Sequence, residues 1–304
     1  MKVVRGLIDK GLQKAGAVAL TIGAFDGVHM GHRRVIRELI SEAGKLKGRA
    51  ALLTFDPHPR KVLGNASEPL LLTSLEHKIH LLGELGIDYC IVMPFDEKVE
   101  REEPTDFVVR QLLGAMRLRV ICVGPHFAFG RGRSGDTALL RNLGEEHGFA
   151  VRIIDGVTID GIHVSSTTIR EMVRSGELAK ASRFLGRPYS VVGRVVKGKS
   201  LGKKIGIPTA NLASEGEVIP PPGVYAAIVR SDRGEYRGIL NIDWNNYMEV
   251  HIFDFSDTLY GEHLEITFGK CIRKEKKFGS LEEMVKQIRC DVEIAKKMLH
   301  NTVL

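Results

Sequence analysis

The sequence predicts an α/β chain in two parts. A doubly wound parallel-sheet domain comes first, and a small antiparallel β-barrel or sandwich with a terminal helix follows. Three observations predict this. Up to about residue 155, short apolar runs alternate with helical patterns, as buried parallel strands joined by helices require. From residue 189 the text becomes strands separated by turns rich in Gly, Pro, Asn and Asp. Leu281, Met284, Val285, Ile288, Val292, Ala295 and Leu299 then recur at helical spacing. Gly186, Arg187 and Pro188 read as the junction, giving domains 1–185 and 186–304.

In the first part the strand candidates are 18–22, 50–55, 87–93, 119–123 and 150–154. Helices are expected near 32–46, 74–85, 104–114 and 136–147. Ser74 offers a cap for the second of these, and Thr105 with Asp106 after Pro104 for the third. A further helical stretch covers 167–185. In the second part the strands are 189–196, 224–229, 236–242, 249–255 and 263–270.

The chain has 304 residues, 43% hydrophobic and 27% charged, enough for two ordinary cores. It has no apolar run long enough for a membrane span, and residues 1–10 lack the apolar core of a signal peptide. None of its four cysteines forms a C-x-x-C pair, so a reduced, cytoplasmic setting is expected, with no membrane partner. The net charge of +7 suits nucleic acid or anionic small molecules such as nucleotides. The basic residues are scattered, so nucleic acid is not expected as a partner. Oligomeric state cannot be read.

Residues 23–32 carry the richest chemistry. Gly23, Phe25, Asp26, Gly27, His29, Gly31 and His32 lie between a strand and a helix start. Glycines let backbone approach a ligand, and a helix N-terminus favours phosphate. Two histidines three apart share one face of the first turn and could stabilise charge on a transferring phosphoryl group. Three more segments follow later strands or open a helix: Phe55, Pro57 and His58 in a proline-stiffened loop; Phe127 between glycines and arginines; and Ser165, Ser166, Thr167 and Arg170. Alone, these three are also readable as a turn, a surface loop and a plain N-cap.

Taken in order, these segments make the first half resemble the adenylyltransferase module of the bacterial bifunctional riboflavin kinase/FAD synthetase family. The matching strings are Gly-x-Phe-Asp-Gly-x-His-x-Gly-His, Thr-Phe-x-Pro-His-Pro, Phe-x-Phe-Gly and Ser-Ser-Thr-x-Ile-Arg. The resemblance implies a nucleotidyltransferase domain in which FMN phosphate attacks the α-phosphate of ATP. His29 and His32 would stabilise that transition state. Gly23, Phe25, Asp26 and Gly27 would line the ATP site, and Ser165, Ser166, Thr167 and Arg170 would hold its outer phosphates. Phe55, Pro57, His58 and Phe127 would contact flavin. Two positions depart from the family: His126 stands where Asp or Asn is usual, and Thr168 where Arg is usual.

In the second half, residues 193–200 fit the string G-x-x-x-x-G-K-S, but a strand runs through it and Gly202, Gly206 and Pro208 would break the helix a P-loop needs. What remains is a basic glycine flap, Gly198, Gly202, Lys203 and Gly206, leading into Thr209 and Asn211. These two would share a face if the segment is a strand, and neutral oxygens suit a Mg²⁺ carried by ATP phosphates. Glu249 opens a strand and could take a proton from a hydroxyl nucleophile; an exposed strand glutamate is the plainer alternative. The segment 202–212, Gly223 to Ala227, Glu249 to His251 and the run 273–278 resemble the riboflavin kinase module. That resemblance implies Thr209 and Asn211 on Mg²⁺-nucleotide and Glu249 as base for the riboflavin 5′-hydroxyl. The usual Gly-x-Arg-Pro-Thr-Phe after Asn241 and Ile242 is missing, and residues 243–248 form a shorter link.

The expected function is therefore phosphorylation of riboflavin to FMN and adenylylation of FMN to FAD, with Mg²⁺ and ATP in both steps. A single-activity FMN adenylyltransferase and a non-catalytic flavin-binding regulator are the alternatives.

Overall fold

The computed structural model describes every residue except 8, 63–70, 199–201, 203–205, 215 and 301–304. The chain packs as two compact units, Met1–Pro69 with Leu75–Ser165, and Leu70–Ser74 with Ser166–Leu304.

The first unit is built on six parallel strands: β1 (Lys2–Arg5), β2 (Ala17–Ile22), β3 (Arg49–Asp56), β4 (Tyr89–Pro94), β5 (Arg117–Val123) and β6 (Ala150–Ile153). Their order across the sheet is β1-β4-β3-β2-β5-β6. Alternate residues face opposite layers. Leu20, Leu53, Ile91 and Ile121 enter one core with Phe107, Leu112 and Leu140. Their neighbours Leu52, Cys90 and Val92 pack with Ile36 and Leu81, and Ala19, Ala50 and Cys122 with Leu39. Helices cover both faces, which is why the inner strands are largely apolar. The order reverses at β2, whose neighbours are β3 on one side and β5 on the other. That switch point opens the crevice where such sheets bind ligands.

Three details differ from the sequence expectation. Strand β1 is short and buries only Val4 of its four residues, so its pattern is faint. The helix expected at 104–114 opens with Pro104 at its first turn and no side-chain cap from Glu103, and its middle, Phe107–Leu112, is a π-helix. The stretch 167–185 is two helices, Ser166–Arg174 and Leu178–Leu185, parted at Gly176, whose φ is +81°.

A two-residue hairpin, β7 (Thr158–Ile159) and β8 (Ile162–His163), precedes the second unit. That unit is a closed barrel of β9 (Ser190–Val196), β10 (Ala210–Ser214), β11 (Gly223–Ser231), β12 (Gly234–Ile242), β13 (Met248–Ile252) and β14 (His263–Lys274). They pair in the order β10-β13-β12-β11-β14-β9, all antiparallel. The terminal helix Leu281–His300 lays Ala295 and Leu299 on Val224, Ala226, Ile239 and Phe253 of the barrel. Residues from the first half of the chain join this unit: Glu217 is buried and its carboxylate accepts the backbone N–H of Ser74 (2.7 Å) and of Val192 (2.6 Å).

Candidate functional site

At the end of β2 the chain turns sharply before the helix Met30–Lys45. Phe25, Gly27 and Val28 take φ values of +49°, +84° and +42°. Two of the three are not glycine, a strained backbone of the kind concentrated at functional sites. Asp26, Val28 and His29 are buried within the turn.

His29 caps the helix: its Nδ1 accepts the backbone N–H of His32 at 3.3 Å. An accepting Nδ1 places the proton of the neutral ring on Nε2. The two imidazoles stack, centroids 3.5 Å apart and 16° from parallel, and Phe25 tilts against His32 at 5.0 Å. Gly31 makes room for this; a Cβ there would meet the His29 ring at 3.1 Å. Likewise a Cβ on Gly23 would press on the Phe25 ring at 3.2 Å. Burial, then the neighbouring His29 and then Lys78, hold the His32 pKa well below that of an ordinary histidine. His32 Nδ1 is buried without a hydrogen-bond partner.

The neighbouring strand ends flank this turn. After β3, Phe55 meets Phe95 edge-on at 5.5 Å, and His58 Nδ1 accepts the N–H of Arg60 at 3.2 Å. After β5, Phe127 stacks on Phe129 at 5.4 Å, and Phe129 and Gly135 close the loop by pairing their backbones. The expected flavin contacts Phe55, Pro57, His58 and Phe127 therefore lie at or beyond the C-terminal ends of the two strands either side of β2. Ser166, Thr167 and Arg170 open the helix Ser166–Arg174 of the second unit, with Ser165 just before it.

In the barrel, Gly202, Thr209, Asn241, Glu249, Arg273 and Glu275 line one cavity of about 170 Å³, closed by Phe278 and residues of the terminal helix. Asn211 and Asn241 are the direct neighbours of Glu249 on either side. Opposed residues of antiparallel strands project to one face, so two amides flank the carboxylate. The flap glycines pack on the expected cation ligands: a Cβ on Gly202 would meet Thr209 Oγ1 at 2.9 Å, and one on Gly198 would run into the Asn211 amide. Gly206 has a φ of +76°. Lys203 lies outside the described residues. His251 Nδ1 donates to the Pro208 carbonyl at 2.7 Å, tying the flap's exit to β13.

The deep wall of the cavity is charged. Arg273 Nε donates to Asp291 at 2.9 Å, Gln287 donates to the other oxygen of Asp291, and Arg273 lies over the Phe278 ring. Burial pushes the Glu275 pKa up. Residues 243–248 form a tight hairpin: Asp243 accepts the N–H groups of Asn245 and Tyr247 at 2.8 and 2.9 Å, and Asn246 takes a φ of +64°.

No sequence motif marks Lys78, and Glu275 and Asp291 lie in segments resembling the kinase module without a role assigned to either. Lys78 is a buried cation under the histidine turn, and the other two line the barrel cavity. A lysine or carboxylate at a helical position, as for Lys78 and Asp291, or in a charged run, as for Glu275, reads as a solvated face, so only packing reveals their place.

The chain matches the FAD synthetase family over residues 12–168 and the riboflavin kinase family over residues 185–299. It is 36% identical to a bifunctional riboflavin kinase/FMN adenylyltransferase of Haemophilus influenzae, covering 99% of this chain and all of the relative. To the Escherichia coli K12 protein of the same description it is 35% identical over 96% of both. A solved structure described as a macrolide-efflux protein from Streptococcus pneumoniae aligns over 97% of this chain with a TM-score of 0.84 at 26% identity. Among the described residues no helix is long and apolar enough to cross a membrane.

Proposed function

The chain belongs to the bifunctional riboflavin kinase/FMN adenylyltransferase family, and we propose that it makes FMN from riboflavin and FAD from FMN, consuming ATP in each step. The observation that carries the reading is the stacked pair His29 and His32, seated in a strained glycine turn at the sheet's switch point.

In adenylyl transfer a phosphate oxygen of FMN attacks the α-phosphorus of ATP, and the bond to the β-phosphate oxygen breaks to release pyrophosphate. His29, with its proton on Nε2, and His32 donate to the α-phosphate oxygens as charge builds there. Gly23, Phe25, Asp26 and Gly27 form the nucleotide side of the site. Phe55, Pro57, His58 and Phe127 take the flavin side. For Ser165, Ser166, Thr167 and Arg170 the family pattern supports a grip on the outer phosphates.

In the kinase domain, residues 186–304, Glu249 takes the proton of the riboflavin 5′-hydroxyl while that oxygen attacks the γ-phosphorus of ATP and ADP leaves. Gly198, Gly202, Lys203 and Gly206 cover the nucleotide. The donor set fits a Mg²⁺ that arrives on ATP: Thr209 and Asn211 offer neutral oxygens, and the described residues hold no group of three His, Cys, Asp or Glu able to bind a metal alone. Bound there by Thr209 and Asn211, Mg²⁺ would neutralise phosphate charge. The setting is cytoplasmic.

One observation favours a second reading. The hairpin 243–248 is a tight turn closed on Asp243, where the family usually carries a longer loop, so on this reading the barrel would bind flavin without phosphorylating it. Incubation with Mg-ATP and either riboflavin or FMN, followed by chromatography of the flavins, separates the two. The bifunctional reading expects FMN and FAD from riboflavin. FAD from FMN with nothing from riboflavin leaves adenylyl transfer alone, and no product from either overturns both in favour of a binding protein.

A further inference from the structure

No motif marks Lys78, yet it lies at the base of the histidine turn. It sits in the helix Leu75–Gly83 and is 5% exposed. Its Nζ donates to the Ala24 carbonyl at 2.9 Å and to Thr54 Oγ1 at 3.0 Å, and Thr54 Oγ1 donates to the same carbonyl at 3.1 Å. Ala24 sits between Gly23 and the strained Phe25, so one carbonyl at the entry to the turn is held twice.

A buried ammonium is costly, and an apolar side chain of similar volume would fill the space without that cost. Burial lowers the Lys78 pKa, opposed by Asp26 in the turn, Asp56 at the end of β3 and Cys90 in β4. Its charge also helps to lower the His32 pKa. Three elements thus converge on this one cation, and all three border the turn.

We propose that Lys78 is a positioning residue for adenylyl transfer: by holding the Ala24 carbonyl with Thr54, it sets the turn that presents His29 and His32 to the α-phosphate. This rests on the reading of the histidine turn as the transfer site. Lys78 touches no reacting atom; it acts through the backbone. Misplacement of reacting groups by about 1 Å costs on the order of 100-fold in rate, and that is the scale expected when this tether is lost.

The test uses the full chain with FMN and Mg-ATP. Lys78→Met should lower kcat for FAD formation about 10- to 100-fold, with KM for FMN little changed and FMN formation from riboflavin intact in the same preparation. Its acid limb should move to higher pH, because His32 loses a neighbouring positive charge. Thr54→Val keeps the packing and removes the second hydroxyl contact, so it should lower the same kcat by a smaller factor; it serves if Lys78→Met does not fold. Unchanged kcat and unchanged acid limb in the folded variants would overturn the proposal. His29→Ala is the control on the underlying reading. If His29→Ala cripples FAD synthesis while Lys78→Met leaves kcat and the acid limb unchanged, only the role of Lys78 fails; if His29→Ala is fully active, the site itself is misassigned.

Discussion

Asn211 and Glu249 are direct cross-strand partners, joined across β10 and β13, with Asn241 opposite on β12. The carboxylate is therefore fixed between two amides at the wall of the cavity. Glu249→Gln keeps the shape and removes the proposed base. It should lower riboflavin phosphorylation about 100-fold or more, within the range general-base removal shows, and leave FAD formation from FMN unchanged. Chromatography of flavins from both substrates checks it.

Gly202 has no room for a side chain, because a Cβ would collide with the Ile207 carbonyl and Thr209 Oγ1. The first is backbone and cannot rotate away. Gly202→Ala should push Thr209 out of place and raise KM for ATP in riboflavin phosphorylation roughly 10-fold, about 1.4 kcal/mol. Steady-state kinetics at varied ATP would show it, with FAD formation as the internal reference.

His29 caps the helix, and the proposed mechanism also gives it the role of donor to phosphate. His29→Ala should reduce FAD formation from FMN about 100- to 1,000-fold, the range for losing one preorganised donor, and destabilise the helix start by ~1 kcal/mol. Phosphorylation of riboflavin should persist, so a single time course started from riboflavin should stop at FMN.

The depressed His32 pKa also predicts a pH effect on stability. Between the low folded value and the ordinary histidine value of 6.5, the unfolded chain binds the proton and the folded one does not. The contribution is therefore complete above about pH 6.5 and is lost as pH falls below it. Thermal melts from pH 7.5 to 5.5 should show a steeper loss of Tm for the native chain than for His32→Asn. Parallel curves for the two would contradict a buried neutral His32.

Much of the architecture was legible because its signals are local. Residues 17–22 and 50–55 are apolar but for Thr21 and Thr54, as strands buried on both faces tend to be. The glycine turn with His29 and His32 was legible for the same reason, since turn, cap and helix start are adjacent in sequence. The short link 243–248 read as a tight turn, and Asp243 closes it. Strand β1 was not legible, because four residues with one buried side chain carry too little pattern. The π-helical turn at Phe107–Leu112 was hidden as well, since its apolar spacing passes for an ordinary helix.

What the sequence by itself determined is the set of chemical groups and their local frames: a glycine turn carrying two histidines into a helix start, a glycine flap before Thr209 and Asn211, and a glutamate at the start of a strand. These depend on backbone preferences and spacing, which neighbours along the chain control. What only the tertiary structure decided is which distant groups meet. Lys78 lies over fifty positions from Ala24, and Arg273 lies far from Asp291, yet each pair is joined by a hydrogen bond. Strand order and helix packing bring them together, and a buried charge is tolerated only where packing supplies such a partner.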